Sequence, residues 1–270
     1  MTVMITGASG GLGRALALDC AGRGFDLLLT DINQAGLERV KRGIRCQYDV
    51  RIWTRACDIT SDDDVDRLIA YADETGIRVD MLFNVAGLDH EGGFTQRDFG
   101  RIMAILRLNI EATLRVTHKA LRLRRRPGRF HIVFVSSLAS MYPIPLKATY
   151  AASKRFLLDF SIALGQELRD QDVSVLALCP GGLATTPESI HGIEAQGFWG
   201  TVTTNRLERV AHRTVSRSLR GRRLYVPGLL NRAFSIAARF VPAAVIAGLL
   251  YGRWNRAQKK WLVVESGGGT

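Results

Sequence analysis

The chain has 270 residues and a mass of 29.8 kDa, which is enough to bury a sizeable core in one large domain or two small ones. Apolar residues make up 47% of it and charged residues 23%, and this ordinary balance excludes intrinsic disorder, collagen-like repeats and coiled coil. The four cysteines form no CxxC pair. We therefore expect a reducing compartment, with neither a disulfide framework nor a metal site.

The net charge of +12 is unevenly distributed along the chain. The first hundred residues carry a net charge of −5, the second hundred +6, and residues 201–270 carry +11. Such a basic end can bind nucleic acid or an anionic membrane surface, or it can consist of solvated arginines alone. Because no helix-turn-helix, RNP-like or zinc-finger pattern occurs, we expect no specific nucleic acid partner.

The beginning of the chain lacks the basic segment and the cleavage site of a signal peptide, which favours a cytoplasmic protein. Its longest uncharged apolar stretch is Phe240–Gly252, with 13 residues. A membrane-spanning helix needs about 20. A conventional membrane span is therefore not expected.

Short aliphatic and β-branched runs alternate with helical patterns, which is typical of βαβ units on a parallel sheet. The predicted strands are Thr2–Thr6, Asp26–Thr30, Val50–Cys57, Val79–Asn84, Arg129–Ser136 and Val173–Leu178. The predicted helices are Gly11–Arg23, Gln34–Gly43, Ser61–Thr75, Arg97–Arg125 and Thr149–Arg169. This order predicts an α/β fold with a doubly wound parallel sheet, as a single domain over residues 1–227.

The pattern loosens after the sixth strand. A loop is predicted over Pro180–Thr204, followed by a helix over Arg206–Leu219 and a short strand over Arg223–Pro227. A helical extension is predicted over residues 228–270, with Pro242 as the first residue of its final helix.

A glycine cluster follows the first strand and begins the first helix. Glycines at Gly7, Gly11 and Gly13 would let the backbone turn tightly and approach a pyrophosphate. The helix N-terminus would then offer free N–H groups to the phosphates. The spacing is Gly-x-x-x-Gly-x-Gly, and its position between a strand and a helix predicts a dinucleotide site.

Two acidic residues follow the next two strands. Asp31 can accept hydrogen bonds from both ribose hydroxyls of an adenosine and would repel a 2′-phosphate. NAD(H) is therefore the preferred cofactor, with NADP(H) as the alternative. Asp31 could equally serve as a helix N-cap. Asp58 is placed to meet an adenine edge.

These motifs occur in a familiar order. Thr6–Gly13, the run Asn84–Gly87, Asn109, Ser137 and the pair Tyr150 and Lys154 resemble the short-chain dehydrogenases/reductases in order and spacing, as does Pro180–Gly181. The resemblance covers residues 1–227 and implies a Rossmann-type fold. It implies cofactor contacts from Gly7, Ser9, Gly11, Leu12, Gly13, Asp31, Asp58, Ile59, Asn84, Ala86, Gly87, Tyr150, Lys154, Pro180, Gly181 and Thr185.

The catalytic set implied by the resemblance is Asn109, Ser137, Tyr150 and Lys154. Tyr150 and Lys154 are four residues apart on one predicted helix and so share a face. A free phenol has a pKa near 10, and a neighbouring ammonium favours the phenolate and lowers that value. Tyr150 would then act as general acid or base, Ser137 would hydrogen-bond the substrate oxygen, and Asn109 would hold a relay water.

The sequence departs from the family pattern at two places. The usual Asn-Asn-Ala-Gly reads Asn84-Val85-Ala86-Gly87, so one polar side chain beside the cofactor is lost. The chain also continues about 40 residues beyond the usual end of the fold. Thr185 matches the family's threonine near the nicotinamide or phosphate, and Thr186 is an equal candidate.

The resemblance implies that three segments contact the substrate, a small alcohol or ketone: Leu88–Phe94, Leu138–Leu146 and Leu183–Thr204. They contain Met141, Tyr142, Ile144, Phe198 and Trp199, which indicates an apolar pocket. His90 and Glu91 could hydrogen-bond a polar substrate group or could be solvated loop residues.

The extension has two interpretations. Its first helix carries Phe234, Ala237, Ala238 and Val241 on one face, with Asn231, Arg232, Ser235 and Arg239 mostly off it. The helices could pack over the substrate pocket or a partner subunit. With the tryptophans and cations after residue 252, they could instead anchor the protein peripherally on a membrane surface.

Two functions remain open. The first is an NAD(H)-dependent oxidoreductase, expected from the resemblance to be a homo-oligomer. The alternative is a non-catalytic, NAD-responsive scaffold that docks through its basic C-terminal helices. The complete Asn–Ser–Tyr–Lys set favours the enzyme, because a scaffold has no need of a proton relay.

Overall fold

The computed structural model describes residues 1–89, 92–185, 203–238 and 240–252. Seven strands form one sheet. They are β1 Thr2–Thr6, β2 Asp26–Asp31, β3 Ile52–Ala56, β4 Met81–Asn84, β5 Phe130–Val135, β6 Val173–Leu178 and β7 Leu224–Tyr225. All neighbouring pairs are parallel, and the strand order is β3-β2-β1-β4-β5-β6-β7. The order reverses between β1 and β4, as the predicted doubly wound fold requires.

Helices cover both faces of this sheet. They are α1 Gly11–Gly22, α2 Gln34–Arg45, α3 Asp62–Glu74, α4 Phe99–Leu106, α5 Thr113–Ala120, α6 Ala148–Glu167, α7 Leu207–Leu219 and α8 Leu229–Ala237. Among the described residues, a further helix, α9, includes residues 243–252. No helix within the described ranges is long and apolar enough to cross a membrane.

The core lies in two layers, one on each face of the sheet. Alternate residues of a strand enter opposite layers, so Val3 and Ile5 pack with α1, α2 and α7, while Met4 packs with α3, α5 and α6. All three side chains are fully buried. The near-continuous apolar runs of the strands follow from this burial on both faces.

The start of α3 agrees with its sequence. Ser61 is the N-cap, and its Oγ accepts a hydrogen bond from the N–H of Asp64 at 3.3 Å. Asp62, Asp63 and Asp64 fill the first turn, where negative charge is favourable beside the helix dipole. The predicted helix start is confirmed.

The prediction of one long helix over Arg97–Arg125 is wrong in detail. The Asp98 carboxylate caps α4 instead, and a π-helical segment, Arg107–Ala112, separates α4 from α5. Helical structure ends at Leu123, because Arg124 forms a parallel bridge with Val79. Such π segments are frequent at functional sites, and this one contains Asn109.

The extension also differs from its predicted pattern. Asn231 and Ser235 are the buried residues of α8, whereas Ile236 is 50% exposed. The Asn231 amide donates to the carbonyl oxygens of Thr203 and Pro227, each at 3.0 Å. Of the predicted apolar face, Phe234 and Ala238 are half-buried while Ala237 and Val241 are exposed, so the prediction is confirmed only in part, and polar contacts also hold α8 to the domain. Pro242 lies just before α9 rather than at its first helical position.

Candidate active site

The glycine loop is built by close backbone contacts. Gly7 has a φ of +66°, and a Cβ on it would lie 2.8 Å from the backbone N of Ala86. A Cβ on Gly13 would lie only 2.1 Å from the carbonyl oxygen of Gly7. The loop can therefore adopt this turn against the end of β4 only if both residues lack side chains.

Asp31 ties the loop to the end of β2. Its two carboxylate oxygens accept the backbone N–H groups of Ser9 and Asn33, each at 3.0 Å. The alternative that Asp31 caps α2 is wrong, because the cap is Asn33, whose side chain accepts the N–H of Gly36. Each carboxylate oxygen has capacity for a second hydrogen bond.

The other predicted acidic contact lies at the end of β3. One carboxylate oxygen of Asp58 accepts hydrogen bonds from the N–H and the hydroxyl of Thr60, at 2.9 and 2.7 Å. Ile59, next to it, is buried in the core with 6% exposure. The Asp58 carboxylate is thus held in a fixed position, while the Ile59 side chain packs inward.

The segment after β6 approaches the glycine loop. A Cβ on Gly11 would lie 2.6 Å from the Thr185 Cγ2 atom, so Thr185 sits directly against the start of α1. Pro180 and Gly181 are anchored nearby: the Pro180 carbonyl accepts the N–H of Leu138 at 2.7 Å, and the Asn205 side chain accepts the N–H of Gly181 at 3.0 Å. Thr186 lies outside the described residues.

Asn84 is buried at the end of β4. Its amide nitrogen donates to the Thr117 hydroxyl at 2.9 Å, while its Oδ1 atom has no hydrogen-bond partner in the part of the chain described. A buried carbonyl oxygen without a partner is costly. The Thr6 hydroxyl beside it accepts the N–H groups of Val85 and Ala86, at 3.1 and 3.3 Å.

Asn109 links two of the predicted segments. Its Oδ1 accepts the N–H of Leu88 at 2.8 Å, and its amide nitrogen donates to the Leu88 carbonyl at 2.9 Å. The same nitrogen donates to the Ser153 hydroxyl at 3.0 Å, which in turn donates to the Tyr150 carbonyl at 2.7 Å. This chain fixes the loop after β4 against the first turn of α6. The side-chain amide of Asn109 thus forms its hydrogen bonds with protein groups. That Asn109 holds a relay water stays a prediction.

Lys154 is buried beside Tyr150 on α6. Its ammonium donates to the Val135 carbonyl at 2.9 Å and lies 5.7 Å from the centroid of the Tyr150 ring. Burial disfavours the charged form and lowers the pKa of Lys154 to about 8, an effect opposed by the negative charge of Asp89. A Cβ on Gly87 would lie 3.1 Å from this ammonium, so the missing side chain leaves room for it.

Ser137 follows the end of β5 and is half-buried. Its Oγ accepts the N–H of Ala139 at 3.1 Å, which leaves its O–H available as a donor. The neighbouring Ser136 hydroxyl donates to the Lys154 carbonyl at 2.7 Å. The π segment and α6 therefore bring Asn109, Tyr150 and Lys154 together, and Ser137 follows Ser136, which is bonded to α6.

An apolar cluster surrounds the tyrosine. Ala139, Ile144 and Ala151 are buried, and Tyr142, Tyr150 and Leu250 pack against them. Leu250 belongs to α9, so the extension reaches the residues around Tyr150. His90, Glu91, Phe198 and Trp199 lie outside the described residues.

Three polar residues of the site were missed by sequence reasoning. Ser153 joins Asn109 to Tyr150, Thr6 holds the end of β4, and Thr117 binds Asn84. Ser153 lies three residues after Tyr150, and this spacing on the same helix could have indicated it. Nothing in the sequence could have paired Thr117 with Asn84, because the contact joins separate elements.

Comparisons with known proteins agree with this arrangement. A family model described as short chain dehydrogenase matches residues 1–190. The very-long-chain 3-oxoacyl-CoA reductase of Neurospora crassa is 34% identical over 175 residues, which cover 64% of this chain and 53% of that protein. The protein of the same name from Phaeosphaeria nodorum is 35% identical over 178 residues, covering 64% and 52%. The chain thus spans about half the length of the curated relatives it matches.

Solved structures share the fold. A 3-ketoacyl-(acyl-carrier-protein) reductase from Brucella melitensis complexed with NADH is 25% identical, with a TM-score of 0.70, covering 80% of this chain and 90% of its own. A short chain dehydrogenase/reductase from Burkholderia phymatum in complex with NAD has a TM-score of 0.78 at 21% identity, covering 87% and 91%. The chain belongs to the short-chain dehydrogenase/reductase family, whose members are NAD(P)-dependent oxidoreductases.

Proposed function

We propose that the protein is an NAD(H)-dependent oxidoreductase that interconverts a hydroxyl and a carbonyl group on a small, mostly apolar substrate. The observation that carries this proposal is the buried Lys154 ammonium, 5.7 Å from the ring of Tyr150. Around this pair, Asn109 and Ser153 fix the start of α6. A cation buried beside a phenol is the arrangement that proton transfer by tyrosine requires.

The side chains divide the work as follows. Tyr150 gives its phenolic proton to a substrate carbonyl oxygen or, in the reverse direction, takes the proton of a substrate hydroxyl. Ser137 donates its O–H to the same oxygen and stabilises the charge that develops there. Lys154 keeps one N–H on Val135 and has two further donors, which favour the phenolate and bind a ribose hydroxyl. The nicotinamide, when bound, supplies or accepts the hydride.

The residues present fit a dinucleotide. The loop has no space for a side chain at Gly7, Gly11 or Gly13, which is the backbone cradle that a pyrophosphate needs. Asp31, held by two backbone N–H groups, would accept the ribose hydroxyls and repel a 2′-phosphate. This geometry supports NAD(H) as the preferred cofactor, with NADP(H) as the alternative. Thr185 and the unpartnered Oδ1 of Asn84 would complete the contacts.

The names of the relatives suggest the substrate. We propose a 3-oxoacyl thioester, reduced at its 3-oxo group, as the first substrate class to test. The apolar cluster of Ala139, Ile144 and Tyr142 beside Tyr150 suits an acyl chain better than a polar sugar.

The proposed setting is a cytoplasmic homo-oligomer with a domain of residues 1–227 and an extension of residues 228–270. The contact of Leu250 with the cluster around Tyr150 supports an extension that packs over the substrate pocket. The exposed Leu249 and Val245 on the same helix support a peripheral membrane contact. Co-sedimentation with anionic vesicles, compared between the full chain and a chain ending at residue 228, separates these roles.

The test begins with cofactor binding. Titration with NADH and with NADPH, followed by nicotinamide fluorescence, is expected to give tighter binding of NADH. Reduction of acetoacetyl-N-acetylcysteamine with NADH then tests the substrate class. Tight NADH binding without turnover of this thioester or of a panel of alcohols and ketones would instead favour the NAD-responsive scaffold.

A further inference from the structure

A cationic depression lies at the start of α6 and plays no part in the chemistry described above. Its cavity volume is about 80 Å³, so it can hold one small group of a ligand rather than a whole ligand. It is lined by Gly92, Phe94, Arg97, Arg101, Ile102, Ile105, Leu146, Lys147, Ala148 and Thr149. Thr149 directly precedes Tyr150 in the chain, so this depression lies next to the first turn of α6.

The two walls of the depression are joined. The N–H of Gly92, after β4, donates to the carbonyl of Leu146, before α6, at 2.7 Å. Gly92 has a φ of +137°, and a Cβ on it would lie 2.0 Å from the Arg97 Nε atom. The Arg97 side chain therefore lies against the loop backbone, in space that only a glycine leaves open. This guanidinium is held in place by packing rather than extended freely into water.

The lining carries positive charge and no acidic residue. Lys147 forms an ion pair with Asp89 at 2.8 Å. Over the ranges that the structure describes, neither Arg97 nor Arg101 has an ion pair. The nearby Asp98 carboxylate caps α4 through the backbone N–H of Arg101. Two guanidinium groups therefore remain for an anion, and planar guanidinium groups match phosphate oxygens well.

The rest of the lining is apolar. Phe94 is 63% exposed, and Ile102 and Ile105 also line the depression. The ligand should therefore carry an apolar group close to its anionic group. The phosphopantetheine arm of acyl carriers has this composition, because its gem-dimethyl group lies next to its phosphate.

We propose that Arg97 and Arg101 bind the phosphate of the phosphopantetheine arm that carries a 3-oxoacyl substrate to Tyr150. This inference rests on the proposed function and names its carrier. Coenzyme A and an acyl carrier protein share this chemistry, and either can supply the phosphate. A thioester of N-acetylcysteamine presents the same 3-oxo group and lacks the phosphate.

The experiment compares wild-type protein with an Arg97→Ala/Arg101→Ala variant on three thioesters: acetoacetyl-coenzyme A, acetoacetyl-carrier protein and acetoacetyl-N-acetylcysteamine. We expect the KM for at least one phosphate-bearing substrate to rise about tenfold or more in the variant, with kcat and the KM for the truncated thioester unchanged. An Arg97→Lys/Arg101→Lys variant should recover part of the loss. Arg169→Ala, an exposed arginine paired with Asp170, is the control and should change none of these values.

Two results overturn the proposal while leaving the proposed function intact: equal KM values in wild type and variant, or an equal rise for all three thioesters. An equal rise for all three thioesters would mean that the arginines contact the acyl group or stabilise the fold. Thermal unfolding of each variant distinguishes these two explanations. If no thioester is reduced, the proposed function fails. Calorimetric titration with free coenzyme A then tests separately whether Arg97 and Arg101 form a phosphate site. Saturable binding that the double variant loses supports it, and absent or unchanged binding overturns it.

Discussion

The two sides of the candidate active site are built in different ways. On the cofactor side, the loop after β1 is defined by what its residues lack: Gly7 and Gly13 have no Cβ where one would meet backbone atoms. On the chemical side, hydrogen bonds hold the Asn109 amide and the buried Lys154 ammonium, and the backbone carbonyl of Tyr150 accepts one from Ser153. Substitutions on the first side should therefore change stability and cofactor binding, and those on the second should change rate.

The sharpest test of this difference is Tyr150→Phe. Removing the phenolic hydroxyl deletes the proton donor, so we expect the rate of carbonyl reduction to fall by about 10²–10⁴-fold. The ring remains to pack with Ala139 and Ile144, so thermal stability and NADH binding should stay close to those of the wild type.

Tyr142→Phe is the matched control, because Tyr142 packs in the same cluster as Tyr150. It should keep at least a large part of the activity. A Tyr150→Phe protein that retains full turnover would show that another group supplies the proton.

The loop side is tested by Gly13→Ala. The added methyl group would lie 2.1 Å from the Gly7 carbonyl oxygen, and backbone atoms on both sides cannot move apart without opening the turn. We expect a loss of about 3 kcal/mol in the free energy of unfolding together with weakened NADH binding, measured by denaturant unfolding and fluorescence titration.

Gly43→Ala, on neighbouring α2, should change the free energy of unfolding in the opposite direction to Gly13→Ala. Gly43 is exposed, and a Cβ there would meet nothing within 4 Å, so we expect a gain of about 0.5–1 kcal/mol. If both substitutions had the same effect on stability, the close contact at Gly13 would not limit the fold.

How much the sequence could predict follows the same division. The glycine motif and the pair Tyr150 and Lys154 were predictable because each is a local pattern: a strand–turn–helix or an i, i+4 spacing. The parallel sheet followed from the alternation of strands and helices. Contacts between distant segments, such as that of Thr117 with Asn84, leave no pattern in a single sequence.

The failed predictions have a similar cause. In α8 the apolar pattern did not predict that Asn231 is buried, since this residue binds the carbonyl of Thr203, 28 residues away. In the predicted helix Arg97–Arg125, apolar periodicity continued through the π segment that contains Asn109. The side chain of Asn109 contacts Leu88 and Ser153, which belong to other segments of the chain. Helical periodicity therefore could not predict these contacts.

The burial of Lys154 predicts a pH dependence of stability. Its pKa is about 8 in the folded protein and near 10.4 in an unfolded chain. Between these values the unfolded state binds the extra proton, so the free energy of unfolding should rise as the pH increases from about 8 to 10. The rise should amount to about 2–3 kcal/mol relative to Lys154→Met, which cannot titrate.

Denaturant unfolding of both proteins at pH 7, 8, 9 and 10 measures this difference. Below pH 8 the two stability curves should run parallel, because both states of the wild type are then protonated at Lys154. Curves that remain parallel up to pH 10 would mean that the lysine keeps an ordinary pKa in the fold.

The smallest expected effect lies back on the cofactor side, at Asp31. Asp31→Asn removes the negative charge that would repel a 2′-phosphate while keeping the size of the side chain. It also replaces one of the two acceptors for the N–H groups of Ser9 and Asn33 with a donor. We expect NADH binding to weaken and the ratio of the Kd for NADPH to that for NADH to fall about tenfold, equivalent to about 1.4 kcal/mol.

Asp58→Asn is the comparison, since Asp58 follows the adjacent strand and carries the same charge. It should leave the ratio of the two Kd values nearly unchanged, because one of its carboxylate oxygens is engaged by Thr60 and its proposed contact is an adenine edge common to both cofactors. If the two variants lowered the ratio equally, overall charge rather than the position of Asp31 would determine the preference. In that case cofactor preference would not depend on a contact at the position of Asp31. The difference between the cofactor side and the chemical side would then depend on the glycine loop alone.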